Sequence, residues 1–185
     1  MDIAATNFPG LMLITPRVFE DSRGYFFESF NLTQFEAAGI NTSWVQDNQS
    51  KSSYGVIRGL HFQLAPFAQS KLVRVLSGSI LDVALDIRRG SPTFGQHYAV
   101  ELSETNKKQL LIPHGFAHGF SVLSENATVM YKCDNLYKPD AERGIIFNDP
   151  ELNIDWRIPV EKAIVSAKDK VYPSFAHAEM NFLFP

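Results

Sequence analysis

Cysteine is almost absent from this chain: Cys133 is the only one in 185 residues. A single thiol excludes an intrachain disulfide and a cysteine-based zinc site, and it fits a reducing compartment, so the cytoplasm is the expected location. Basic excess is missing as well. The formal net charge is −3 and the isoelectric point about 5.9, which gives no global field to attract nucleic acid or an anionic membrane. Any anion must therefore be held by a local cluster of cations. No apolar run approaches a membrane span, and the run Leu11 to Ile14, ahead of the first cation Arg17, is too short for a signal sequence. A Walker loop, a dinucleotide-binding glycine motif and an HExxH helix are all absent. Ser79 and Ser121 lack the surroundings of a nucleophile elbow, so nucleophilic catalysis has no support.

What is present is an ordinary globular composition, 45% hydrophobic and 20% charged, in a length that suits one domain over residues 1–185. Short β-rich runs dominate, punctuated by Gly, Pro, Asn and Ser. Strands are expected at Leu11–Thr15, Tyr25–Phe30, Trp44–Asn48, Val56–Gln63, Lys71–Leu76, Ile80–Asp86, His97–Leu102, Gln109–Ile112, Gly115–Val122 and Thr128–Cys133. Ser77, Gly78 and Ser79 form a turn that predicts a hairpin between the runs on either side. One helix is expected at Leu32–Ala38, with Asn31 as N-cap, Gln34 completing a box-like pattern and Gly39 closing the end. After Asp134 the pattern weakens into loops and a short terminal helix. Many strands with a lone helix predict an all-β sandwich or barrel, whose lumen is a natural small-molecule pocket.

Chemistry concentrates near Arg58, His61 and Lys71. His61 lies between Leu60 and Phe62 on a strand, with a cation on either side. Imidazole suits proton transfer near neutral pH, and the cations suit an anionic substrate. Strict alternation, however, groups His61 with Gly59 and Gln63 and sends Arg58 to the opposite face. Both can serve one site only if a bulge near Gly59 re-aims one of them. The run from Pro113 to Phe120 aligns Phe116, His118 and Phe120 on one face. Each histidine also has a bland reading as a hydrogen-bonded core residue. A facial triad of His61, His118 and Asp82 is the metal reading, weakened because Gln63, one residue beyond Phe62, is a poor ligand for a catalytic metal. Arg23, in a turn before an aromatic run holding Glu28, and Tyr131 and Tyr137 complete the candidates.

The ordered motifs carry a resemblance over nearly the whole chain. They run from Asp21 through Arg23, Gly24 and Glu28 to Phe30, then through Gln46, Asp47, Asn48 and Gln49 to Ser52. Arg58 to Gln63, Gln69 to Leu72, Ser91 to Gly95 and Pro113 to Phe120 follow, then Tyr131 and Lys132, Tyr137 to Pro139, Asn148 to Pro150 and Ser166 to Asp169. In this order and spacing they resemble the dTDP-4-dehydrorhamnose 3,5-epimerases, members of the cupin jelly-roll class. Phe147 stands where that pattern has Trp.

The resemblance implies a cupin-type double-sheet jelly-roll barrel with one or two short helices. It also implies a cofactor-free, metal-free epimerase acting on dTDP-4-dehydro-6-deoxy-D-glucose. A mono-epimerase inverting only one carbon of a related dTDP-4-keto sugar is the close alternative. By resemblance, His61 is the base, Asp169 its orienting partner, Tyr131 the proton donor and Lys71 the stabiliser of the enolate oxygen. Arg23 and Arg58 correspond to diphosphate ligands and Tyr137 to the residue that stacks on thymine. Gln46, Asp47, Asn48, Glu28, His118, Glu142 and Lys168 match further substrate contacts. Phe19, Arg23 and Glu28 are expected to complete the neighbour's site in a two-fold homodimer, on N-terminal strands that cross between subunits.

Overall fold

The computed structural model describes residues 1–185, apart from the side chain of Val160. In chain order the N-terminal elements are β1 (Asp2–Ala5), β2 (Met12–Thr15), β3 (Phe19–Asp21), β4 (Gly24–Phe26) and α1 (Leu32–Ala37). Eight strands follow: β5 (Gln46–Ser53), β6 (Val56–Gln63), β7 (Lys71–Ser77), β8 (Ser79–Asp86), β9 (His97–Ser103), β10 (Gln109–Ile112), β11 (Phe116–Val122) and β12 (Asn126–Cys133). Two short strands, β13 (Glu142–Gly144) and β14 (Ile164–Val165), complete the set.

Two six-stranded sheets face each other. The first runs β1-β2-β10-β7-β12-β5, and the second β13-β6-β11-β8-β9 with β14 beside β6. This is the double-sheet jelly roll that the resemblance implies, and it falls within the all-β sandwich or barrel expected from the strand pattern. Along β7, Val73 and Val75 point into the lumen beside Phe116, Phe120 and Val129, while Leu72 packs outside against Phe35 and Ile40. Helix α1 therefore covers the outer face of the first sheet. The C-terminal segment, through Leu152, Trp156 and Phe182, covers the outer face of the second. Each large apolar side chain so buried contributes roughly 1.5–3 kcal/mol.

Three expectations need correction. The turn at Gly78 does not close a hairpin: β7 pairs with β10 and β12, whereas β8 pairs with β9 and β11. Gly78, at φ 80°, carries the chain from one sheet to the other, because both flanking strands are buried on two faces and each needs two partners. At α1, Asn31 Oδ1 accepts from the Gln34 N–H at 3.2 Å, but the Gln34 side chain bonds Glu28 instead of closing the box. The terminal helix reduces to three-residue 3-10 turns at Asp169–Val171 and Phe175–His177, with Pro173 between them.

The decisive local feature is in β6. Against β11, His61 pairs with His118 but Arg58 pairs with Phe120, so three steps along β6 match two along β11. Gly59 is the extra residue of a bulge. Its φ of 123° is forbidden to most side chains, and a Cβ there would lie 2.5 Å from the Gly119 Cα and 2.8 Å from the His118 carbonyl oxygen. Gly59→Ala is expected to cost about 2–4 kcal/mol through strain and collision, read as a lower midpoint in thermal unfolding.

Candidate active site

The bulge settles which way Arg58 points. Ile57, Leu60 and Phe62 belong to the outer core, while Val56 packs against the lumen core. Arg58 and His61, paired with the lumen-facing Phe120 and His118, thus share the inner face with Gln63. The alternation read from sequence is reversed at Arg58 because one residue is spent in the bulge. The Arg58 Nε–H donates to Ser52 Oγ at 3.1 Å, which aims the rest of the guanidinium.

His61 is held from the C-terminal segment. Its Nε2 lies 2.8 Å from Asp169 Oδ1, and Asp169 Oδ2 accepts the Gly59 N–H at 3.3 Å. One carboxylate therefore grips both the imidazole and the bulge that orients it. Burial raises the Asp169 pKa, but the hydrogen bond and charge of His61 and the Gly59 and Ser166 bonds outweigh it, leaving the carboxyl below its ordinary range. An ionised carboxylate only accepts, so Nε2 carries the proton and Nδ1 is left as the basic nitrogen.

On the facing sheet, Tyr131 stands on β12 and Lys71 on β7. The Lys71 Nζ lies 5.9 Å from the Tyr131 ring centroid and makes no ion pair among the described residues. Burial lowers the Lys71 pKa, opposed by Cys133, Asp82 and Glu142. Burial raises the Tyr131 phenol above its ordinary value, so it stays protonated as a potential acid. His118 forms a second pair, its Nε2 2.7 Å from Asp82 Oδ1, with both side chains buried. Burial lowers the His118 pKa, with Asp82 opposing. Among the described residues, Asp82 Oδ2 has no hydrogen-bond partner.

His61, Lys71 and Tyr131 border a cavity of about 300 Å³ that is also lined by Gln46, Asn48, Gln69, Tyr137 and Glu142 among others. At its rim, Glu142 Oε2 accepts from the Tyr137 hydroxyl and from Lys168 Nζ, both at 2.5 Å. The Tyr137 N–H donates to Gln46 Oε1 at 2.9 Å. Gln63 is occupied structurally: its amide donates to Phe67 O and its oxygen accepts the Lys138 N–H, fixing the loop that carries Tyr137. As for the facial-triad idea, Asp169 and Asp82 each engage one histidine, and no group of three or more His, Cys, Asp or Glu among the described residues is placed to hold a metal ion.

The structure brings together His61, Asp169, Lys71, Tyr131, Arg58, His118, Gln46, Asn48, Tyr137, Glu142 and Lys168. It does not bring in four others. The Asp47 side chain points out of β5 and pairs with Lys132 at 3.1 Å. Phe19 and Arg23 sit on the β3–β4 hairpin, Arg23 paired with Asp21 at 2.6 Å. Glu28 binds Asn31 and Gln34 at the start of α1. Ser52 and Tyr172 support the site without any local sequence signal, since their partners lie on other strands. Phe147, where Trp was expected, keeps an apolar role against the outer core, and its carbonyl accepts the Trp156 indole N–H at 2.7 Å.

Among the described residues, no helix is long and apolar enough to cross a membrane. The profile of the dTDP-4-dehydrorhamnose 3,5-epimerase family matches residues 5–177. A dTDP-4-dehydrorhamnose 3,5-epimerase of Shigella flexneri is 50% identical over 180 residues, covering 97% of this chain and 98% of that protein. The crystal structure of dTDP-4-dehydrorhamnose 3,5-epimerase from Elizabethkingia anophelis superposes with a TM-score of 0.91 at 51% identity, covering 95% of this chain and 97% of that one. The Legionella pneumophila dTDP-6-deoxy-D-glucose-3,5-epimerase, solved in complex with dTDP-4-keto-L-rhamnose, gives a TM-score of 0.91 at 47% identity over 95% of this chain and 93% of that one. With relatives this similar over almost their full length, and with a histidine–aspartate pair facing a tyrosine across a jelly-roll lumen, this chain belongs to the dTDP-4-dehydrorhamnose 3,5-epimerase family.

Proposed function

We propose that this protein inverts carbons 3 and 5 of dTDP-4-dehydro-6-deoxy-D-glucose, giving dTDP-4-dehydro-L-rhamnose, with side chains alone and no cofactor. One observation carries the mechanism: His61 and Tyr131 line one cavity from opposite sheets. A sugar ring between them meets a base on one face and an acid on the other. Both carbons flank the C4 ketone, so either C–H can give up its proton. His61 Nδ1 takes that proton, and the electron pair moves to the C4 oxygen as an enolate. Asp169 stabilises the imidazolium through Nε2. Lys71 supplies a half-buried cation for the enolate oxygen, where a preorganised charge is worth most. The Tyr131 hydroxyl then protonates carbon from the other face, which inverts the centre, and solvent resets both groups.

Arg58 holds the diphosphate with its planar guanidinium, and Lys168 adds a cation to the nucleotide end. Tyr137 stacks on thymine, a contact of the kind worth roughly 1–3 kcal/mol. His118, Glu142, Gln46 and Asn48 supply the remaining polar contacts. The reaction is tested by incubating the enzyme with the keto sugar in D2O and following the protons by NMR. Deuterium is expected at both carbons. Exchange at one alone would make the protein a mono-epimerase, and exchange at neither would remove the proposal.

The working unit in this reading is a homodimer in the cytoplasm, where the Cys133 thiol stays reduced. Phe19, Tyr25 and Phe26 are 52%, 57% and 66% exposed on a hairpin that pairs with neither main sheet, which suits insertion into a second copy. Arg23, Phe19 and Glu28 then complete the partner's site. Co-expressed Arg23→Ala and His61→Ala chains are expected to regain about a quarter of the wild-type sites, because half the dimers are mixed and each mixed dimer holds one intact site. Activity no greater than that of the two separate variants would place Arg23 in its own subunit's site or outside catalysis.

A further inference from the structure

Tyr172 ends the 3-10 turn that supplies Asp169, three residues before it. Its ring lies 5.7 Å from the His61 ring, at 67° in an edge-to-face contact. The space it fills is made by another residue. Gly144 on β13 is the cross-strand partner of His61, so any side chain there would share the face of the imidazole. A Cβ on Gly144 would overlap the Tyr172 ring. The ring is thus seated where a neighbouring strand has left a place beside the imidazole. The Ile146 N–H donates to the Pro173 carbonyl at 2.9 Å and locks the segment next to β13. Among the described residues the Tyr172 hydroxyl is buried with no partner in hydrogen-bond geometry, and it is the ring that reaches His61.

We propose that Tyr172 is a positioning residue for His61, its ring forming the wall that fixes the imidazole plane against Asp169 and keeps Nδ1 aimed into the cavity. Asp169 restrains the imidazole at one atom only. A single hydrogen bond leaves rotation about its own axis free, and a flat neighbour at 67° removes that freedom. The inference rests on the reading of His61 as the base. It predicts a larger effect on the chemical step than on nucleotide binding, because the wall touches neither Arg58 nor Tyr137 and meets the nucleotide end only through Lys168, whose Nζ lies 6.0 Å from the ring centroid.

The test compares Tyr172→Ala and Tyr172→Phe with wild type and His61→Ala, using the keto sugar as substrate. Tyr172→Ala is expected to lower kcat by about 10–100-fold, the scale of a small misplacement of a reacting group. Its KM is expected to stay within about threefold, and Tyr172→Phe to restore kcat to within about threefold of wild type. A Tyr172→Ala kcat within about twofold of wild type, or a Tyr172→Phe enzyme as slow as Tyr172→Ala, overturns the proposal. Should Tyr172→Ala fail to fold, Tyr172→Leu, which keeps bulk without a flat ring, takes its place under the same criteria. Failure of the underlying reading looks different: wild type does not turn over the sugar, or His61→Ala is as active as wild type.

Discussion

His61→Ala is expected to lower kcat by about 10²–10⁴-fold, the usual contribution of a positioned acid–base group, while the enzyme still binds dTDP. Removing the imidazole takes away the free base of that wall: His118 is turned to Asp82, burial disfavours its charged form, and the Glu142 carboxylate is engaged by Tyr137 and Lys168. Of the groups proposed to bind the nucleotide, Arg58 shares β6 with His61, whereas Tyr137 and Lys168 lie in the C-terminal segment. Arg58 is held by Ser52, and Tyr137 and Lys168 by Glu142, none of which depends on the imidazole. Steady-state kinetics with the keto sugar, and dTDP titration by calorimetry, separate the two effects. Turnover near the wild-type rate would remove His61 from the base role. Residual activity is expected to reflect Lys71, whose cation acts on the enolate oxygen whichever group takes the proton.

The second large effect is expected at Tyr131. Tyr131→Phe keeps the ring that packs edge-on to His118 at 6.5 Å and deletes only the hydroxyl. Product formation is expected to fall by about 10²–10⁴-fold. Deuterium exchange into the substrate is expected to continue, because His61 can remove a proton and return a deuteron to the same face. That pairing of results, exchange without inversion, is the signature of a base and an acid on opposite walls. If exchange stops along with product formation, Tyr131 acts during proton removal and the division of labour between the two sheets is wrong. Raised by burial, the Tyr131 phenol keeps its proton across the physiological range, so the variant's deficit is expected to change little between about pH 6 and pH 8.

Much of the fold is legible in one dimension. The strand at Val56–Gln63 falls where β-branched and aromatic residues follow a turn former, and the one at Gln109–Ile112 is an apolar run that ends at Pro113. Val73 and Val75 face inward and Leu72 outward, as simple alternation requires. The strands missed by local reading, β1, β3, β13 and β14, are two to four residues long. Runs that short carry too few positions for a period to emerge. The hairpin expected at Gly78 failed for a different reason. Turn chemistry reports that the chain reverses or kinks, but not which sheet receives the next strand. That choice belongs to the many-partner competition among buried strands.

For the site, the sequence by itself determined the chemical groups available. It holds one thiol, and its catalytic candidates His61, Tyr131, Lys71 and Asp169 are identifiable from ordered motifs. Only the tertiary structure decided how they meet. A one-residue bulge at Gly59, stabilised by Asp169 from 110 residues away, turned Arg58 from the outer face to the inner one. The pairing of two sheets set His61 and Tyr131 on opposing walls. The same pairing left Asp47 outside, because its neighbours Gln46 and Asn48 take the inner positions of β5. Local sequence fixes a side chain's chemistry and, through a period of two, its likeness to near neighbours. Direction across a bulge, and contact between residues far apart in sequence, depend on strand register, which is set by the packing of the whole sheet.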